Sequence, residues 1–301
     1  MVGRSEDHSL PFIHLLMVIC SVLVATSFTV GAAIAGGLDP AVLTLVRFLL
    51  ASVILAPYVR LRSGLRFSWP AIGRYGLISA TLVIFFWCMF QSLRFTSALN
   101  TSVIFTLVPS ISGIYAVFLV GERLRRGRLL ALGLGMVGAV WVIFRGDLSL
   151  LPAMAWNKGD LIFLAGCFAM GFYTPLIRLL HRGEPMVVMT FWILVTGSGW
   201  LLLIAGYRLF CIDWAGISLM VWIGIGYLAI FCTVITFFLT QYAVPYIGPT
   251  KVMAYSYLYP VLVLIIDLVL GHGWPAGSIL PGICLVLLAM VVIQRTAKPP
   301  S

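Results

Sequence analysis

Arg47 and Asp267 are the charges that fall well inside apolar stretches, so any buried chemistry starts from them. A charge inside a bilayer costs at least ~2.5–3.5 kcal/mol on insertion scales, so each must face protein or water and find a partner. Arg47 suits a gate or a contact to a substrate carboxylate; the alternative is an arginine that holds the fold through backbone carbonyls. Asp267 suits ion coupling, which needs a titratable group; the alternative is an acid at the membrane edge. The two either pair directly or share one polar vestibule.

Prolines point to where a site would sit. Pro109 and Pro260 occupy equivalent places in two halves of the chain, and Pro175 lies in a third apolar stretch. A proline frees a backbone carbonyl, which hydrocarbon tolerates only where protein or water satisfies it. Paired interruptions at corresponding places are a pointer to a midplane site. Polar and aromatic residues cluster in the same stretches: Trp87 and Gln91; Asn100, Thr101 and Thr106; Tyr173; Thr236 and Gln241, the latter expected just past the end of its span; and Tyr255 and Tyr257. Such a lining suits an amphipathic, weakly polar or zwitterionic small molecule. Six cysteines and four histidines are scattered without ligand spacing, so neither a metal, a cofactor nor a disulfide framework is expected. Nine acids, mostly in loops, offer no clustered site for catalysis, and the chain is not expected to be an enzyme.

The elements that must position these residues are membrane spans. Charged residues make up 9% and apolar residues 62%, whereas a soluble chain carries about 25% charged residues. Apolar windows run over 11–34, 40–59, 72–92, 98–120, 127–144, 159–180, 185–206, 217–239, 249–270 and 276–294, ten in all, each near the length that spans ~30 Å of hydrocarbon. The fold class expected is therefore all-α and integral to the membrane. The first span is too long for the apolar core of a signal peptide.

The basic excess does not indicate nucleic acid. Alternate connections and their flanks hold Arg4, Arg60, Arg62, Arg66, Arg74, Arg123, Arg125, Arg126, Arg128, Arg178, Arg182, Lys251, Arg295 and Lys298. The opposite set holds Arg94, Arg145, Lys158 and Arg208 alone. That bias places both termini in the cytoplasm.

A block of five spans occurs twice. Phe28, Thr29, Asp39 and Pro40 fall on Tyr173, Thr174, Glu184 and Pro185; Gly76 and Gln91 fall on Gly226 and Gln241; Leu107-Val108-Pro109 falls on Leu258-Tyr259-Pro260. Five crossings are an odd number, so the second copy sits inverted in the bilayer, an architecture of secondary transporters. The expected layout is a cytoplasmic tail over 1–10, a first repeat over 11–148, a second over 156–294 and a cytoplasmic tail over 295–301.

Four stretches carry a resemblance: Asp39-Pro40 followed by Arg47; Ala98-Leu99-Asn100-Thr101 leading to Pro109; Gly121-Glu122-Arg123-Leu124; and Gly159-Asp160 at the start of the second copy. In this order and spacing the chain resembles the ten-helix EamA-type members of the drug/metabolite transporter superfamily. Where the second repeat would carry Gly-Glu, this chain has Gly271-His272-Gly273. The resemblance implies two inverted five-helix repeats around a cavity lined by spans 1, 3, 4, 6, 8 and 9, and export of a small metabolite, an amino acid or similar amphipath, across a bacterial inner membrane. No P-loop is present, so an ion gradient, with protons the candidate ion, or the substrate's own gradient drives the step. A flippase for a lipid-linked intermediate and a cationic drug pump are the alternatives. The first span lacks an acid for drug–proton exchange. Partners are the bilayer and the substrate, and the assembly is a monomer or homodimer.

Overall fold

The computed structural model describes residues 10–64, 68–121, 126–143, 157–271 and 277–296. The two chain termini, Glu122-Arg123-Leu124, the connector around Arg145 and His272-Gly273 lie outside the described residues.

The described chain folds into helices α1 (Leu10–Ile34), α2 (Pro40–Ser63), α3 (Trp69–Ser92), α4 (Ala98–Phe105), α5 (Val108–Val120), α6 (Arg126–Ile143), α7 (Lys158–Leu180) and α8 (Met186–Cys211). It continues with α9 (Leu219–Ala229), α10 (Thr236–Ile247), α11 (Pro249–Ala254), α12 (Tyr259–Val269) and α13 (Leu280–Thr296). Among the described residues nine helical stretches are long and apolar enough to cross a membrane, and the shorter apolar run Leu129–Trp141 of α6 completes ten spans. Spans four, eight and nine are built from consecutive pieces: α4 with α5, α9 with α10, and α11 with α12.

Local chemistry sets the helix ends and breaks. Asp39 caps α2, its Oδ1 accepting from the backbone N–H groups of Ala41 and Val42 at 3.0 and 3.4 Å, with Pro40 opening the helix where no N–H is needed. Gly121 ends α5 in the left-handed region at φ 68°, where a side chain would be strained. Between α4 and α5 the ladder tightens, with Thr106 N–H donating to Val103 and Leu107 N–H to Ile104. The twin break in span nine is the 3-10 turn Tyr255–Leu258, one residue before the Tyr259-Pro260 pair. Both breaks thus sit where Pro109 and Pro260 withdraw a donor. Pro175, in contrast, lies inside the continuous helix α7.

The two repeats do not form separate bodies. The largest helix–helix interfaces join α6 to α13, α3 to α7, α2 to α8 and α5 to α7, each pairing one repeat with the other. Exchanging the repeats maps α6 on α13 and α2 on α8 onto themselves, while α3 on α7 corresponds to α1 on α10 and α5 on α7 to α1 on α12, both of which are also in contact. The pattern is that of two inverted repeats related by a pseudo-two-fold axis. Small residues allow the close crossings: a Cβ placed on Gly166 would lie 2.7 Å from Cys88 Cβ, and one on Gly138 would lie 2.6 Å from the Gly282 carbonyl.

Candidate functional site

A cavity of about 220 Å³ opens where the spans of both repeats converge. Met17, Cys20, Val24, Ser27 and Phe28 of α1 form one wall, and Leu82, Phe85, Phe86 and Met89 of α3 form the next. Phe105 of α4, Met170 and Tyr173 of α7, Thr236, Phe237 and Thr240 of α10, and Tyr259 of α12 complete it, with Arg47 and Cys232 at one side. The lining therefore comes from spans 1, 3, 4, 6, 8 and 9, joined by span 2 through Arg47. Aromatic rings meet edge to face across it: Phe28 and Phe105 at 5.9 Å, Phe85 and Phe105 at 5.7 Å. Among the described residues no carboxylate lines this cavity.

Arg47 is buried, 1% exposed. Its Nε donates to Thr233 Oγ1 at 3.0 Å and its Nη2 to the Cys232 carbonyl at 3.3 Å. The guanidinium stacks on Phe86, 4.4 Å from the ring centre. Its Nη1 is buried with no acceptor. Arg47 and Asp267 do not form an ion pair, and Asp267 sits half-buried in α12, away from the cavity lining.

The carbonyl that Arg47 binds belongs to a π-helical turn, Ile230–Ile235, between α9 and α10. A π turn holds one residue more than an α turn. Thr233 spans the widened turn by donating to Leu228, five residues back, at 2.9 Å. The extra residue rotates everything after it by about 100°. Its effect is visible in which residues face the cavity: 82, 85, 86 and 89 in α3, but 232, 236, 237 and 240 in the second repeat. With Gly76 on Gly226 and Gln91 on Gln241, the offset is 150, so the second set is the first advanced by one position after the bulge. Trp87 therefore points away from the cavity and is 39% exposed, while its twin Phe237 lines it.

Of the residues expected from sequence, Arg47, Tyr173 and Thr236 line the cavity. The others lie elsewhere. Thr101 and Thr106 are buried with hydroxyls donating to their own helix, Thr101 to Ala98 at 2.9 Å and Thr106 to Val103 at 2.6 Å. Asn100 donates to Thr96 Oγ1 at the α3–α4 turn, at 3.3 Å. Gln91 is half-buried near the end of α3. Gln241 lies inside α10, which runs on to Ile247 and not to the expected end at 239, and donates to Thr190 Oγ1 at 3.1 Å. The Tyr255 hydroxyl bonds with His14 Nδ1, and Tyr257 is buried against Gly135 of α6. Pro109 and Pro175 meet around a second cavity of about 80 Å³ with Ser112, Thr174 and Thr250.

The sequence reading missed Phe28, Phe85, Phe86, Phe105 and Tyr259. The signal was available in part, because 82, 85, 86 and 89 follow the i, i+3, i+4, i+7 pattern of one helix face. Cys20 and Cys232, expected as packing residues, also reach the cavity.

Polar contacts tie the repeats together at both ends. On the arginine-poor face Arg208 of α8 forms an ion pair with Asp39 Oδ2. On the arginine-rich face Arg74 of α3 reaches Glu184 Oε1 at 3.4 Å, which also accepts from the Tyr75 hydroxyl at 3.1 Å. Partial burial pushes the Glu184 carboxyl up. Hydrogen bonds from its own backbone and from Arg182, the Tyr75 hydroxyl and the Arg74 charge outweigh that and hold it below the ordinary carboxylate value.

Residues 11–144 and 157–295 each match the model of the EamA-like transporter family. Over 298 residues the chain is 21% identical to the uncharacterized transporter YyaM of Bacillus subtilis (strain 168), covering 96% of this chain and 95% of that one. It is 25% identical over 259 residues to an uncharacterized transporter of Archaeoglobus fulgidus, covering 84% and 86%. A protein of known crystal structure shares the fold with a TM-score of 0.66 at 20% identity, over 94% of this chain and 96% of that one.

Proposed function

The chain belongs to the EamA-like transporter family, and we propose that it is a secondary-active exporter of a small amphipathic metabolite, an amino acid or similar compound, working by alternating access. The observation that carries this reading is a central cavity lined by seven spans drawn from both inverted repeats. Rocking one repeat against the other would expose that cavity to each side in turn.

The repeats are assigned to residues 11–148 and 156–294, with both short tails in the cytoplasm and the protein in a bacterial inner membrane. The arginine bias of alternate loops supports that orientation. An ion gradient or the substrate's own gradient supplies the energy. Cationic drugs fit this lining poorly, because it presents a guanidinium and, among the described residues, no acid.

Counterflow in proteoliposomes tests the proposal, using amino acids, nucleobases, cationic dyes and a fluorescent lipid analogue at two pH gradients. Accumulation of one soluble class against a preloaded partner is expected. Flipping of the lipid analogue with no exchange of any soluble compound overturns it in favour of a flippase.

A further inference from the structure

We infer that the central cavity selects monocarboxylates carrying an apolar, ring-sized body, with a carboxylate oxygen accepting from Arg47 Nη1. The inference rests on the transport reading only for its physiological meaning, since the binding chemistry stands on the cavity itself.

Arg47 is not a loose side chain waiting for a role. Its Nε and Nη2 are committed to Thr233 and the Cys232 carbonyl, and Phe86 covers one face of the guanidinium. That anchoring fixes the plane of the group. It leaves Nη1 as a buried donor with no acceptor, on a residue that lines the cavity. Buried donors almost always have partners, and the exceptions call for a functional reason. Arg47 borders the cavity but its Nη1 is enclosed as it stands, so a ligand oxygen would complete the set once ligand entry opens the contact.

The rest of the lining defines the remainder of the ligand. Phe28, Phe85, Phe105 and Tyr259 give a ring-lined, largely apolar pocket. One guanidinium charge, with no carboxylate in the lining among the described residues, matches one negative charge. A phosphate dianion would leave a second charge buried and unpaired, and an amine without a carboxylate of its own would meet like charge without a counterion. The volume of about 220 Å³ falls below the roughly 300–1,000 Å³ of drug-sized pockets, which limits the body to about one ring.

Purified full-length protein in detergent, with thermal midpoint as readout, tests this using three near-isosteric probes. These are 3-phenylpropionate, 3-phenylpropanol and 3-phenylpropylamine, with acetate and phenyl phosphate as controls. We expect 3-phenylpropionate to bind at least tenfold more tightly than the alcohol, the amine or either control. Arg47→Lys should weaken that binding at least tenfold and Arg47→Met should abolish it. If those variants fail to fold, Thr240→Phe, which fills the cavity from α10, must abolish the shift while the purified protein stays monodisperse. An equal or larger shift from the alcohol, the amine or phenyl phosphate, or no shift from the acid, overturns the inference. Acid-selective binding without counterflow of any compound would instead count against the transport reading and leave the inference standing.

Discussion

Asp39 and Glu184 occupy equivalent positions in the two repeats, and each carboxylate is held by an arginine of the other repeat. Asp39 pairs with Arg208 at the end of α8, and Glu184 pairs with Arg74 at the start of α3. Because the repeats are inverted, equivalent acids close opposite faces of the molecule. The pair at each face joins the repeats at the rim, where any rocking between them must be absorbed.

Glu184→Gln should lower the thermal midpoint modestly at neutral pH, in line with the ~0.2–1 kcal/mol of exposed ion pairs. The Glu184 carboxyl is held below its ordinary value in the folded chain. Its contribution is therefore complete above the unfolded value of about 4.3 and disappears as pH falls through the lower folded value. Midpoints of wild type and Glu184→Gln measured across that range should converge at the acidic end. A gap that persists there would show that the glutamate acts through packing.

Thr233→Val should destabilise the protein by ~1–3 kcal/mol, since it leaves the buried Nε of Arg47 without an acceptor. Thr233→Ser keeps the oxygen and should behave like wild type. Denaturation in detergent distinguishes the two. A valine variant as stable as wild type would mean that the Cys232 carbonyl alone satisfies the guanidinium.

On a cysteine-free background, Phe237→Cys should react with a water-soluble maleimide and be protected by 3-phenylpropionate. Trp87→Cys, its twin in sequence, should react several-fold more slowly and show no protection. Equal labelling of the two would contradict the rotation imposed by the π turn.

Gly166→Ala should cost ~1–3 kcal/mol by overpacking α3 against α7, because the new methyl meets Cys88 Cβ at 2.7 Å. Adding Cys88→Gly should recover part of the loss. Gly73→Ala, whose Cβ would meet nothing within 4 Å, serves as the neutral control.

The ten spans, their duplication and the family were legible because hydropathy over 17–25 residues and repeat spacing are carried by the chain itself. Arg47 stood out for the same reason, as a charge where lipid would not tolerate one. The cavity face of span eight was not legible. Nothing in Ile230-Phe231-Cys232-Thr233-Val234-Ile235 announces a π turn, whose Cys232 carbonyl accepts from Arg47 of another span. Trp87 lies off the 82/85/86/89 face of the unbroken helix α3, while Phe237, its symmetry mate, is turned into the cavity by the bulge in span eight. Tyr255 and Tyr257 failed for a different reason: the 3-10 turn before Pro260 redirects them to His14 and Gly135, leaving Tyr259 on the inner side.

The bond from Arg47 to Thr233 also constrains how the protein is made. The two residues are 186 positions apart, so at ~5–20 residues per second the ribosome delivers the acceptor about 10–40 s after the donor. Through the later part of that interval, once residue 148 has been made, the first repeat is complete while the Thr233 acceptor and the helices its faces pack against are not yet synthesised. The nascent first half therefore depends on the insertion machinery, or on water drawn in around Arg47, until the second half arrives. A translational pause near the connector would lengthen that exposure, and degradation of stalled chains should rise with it.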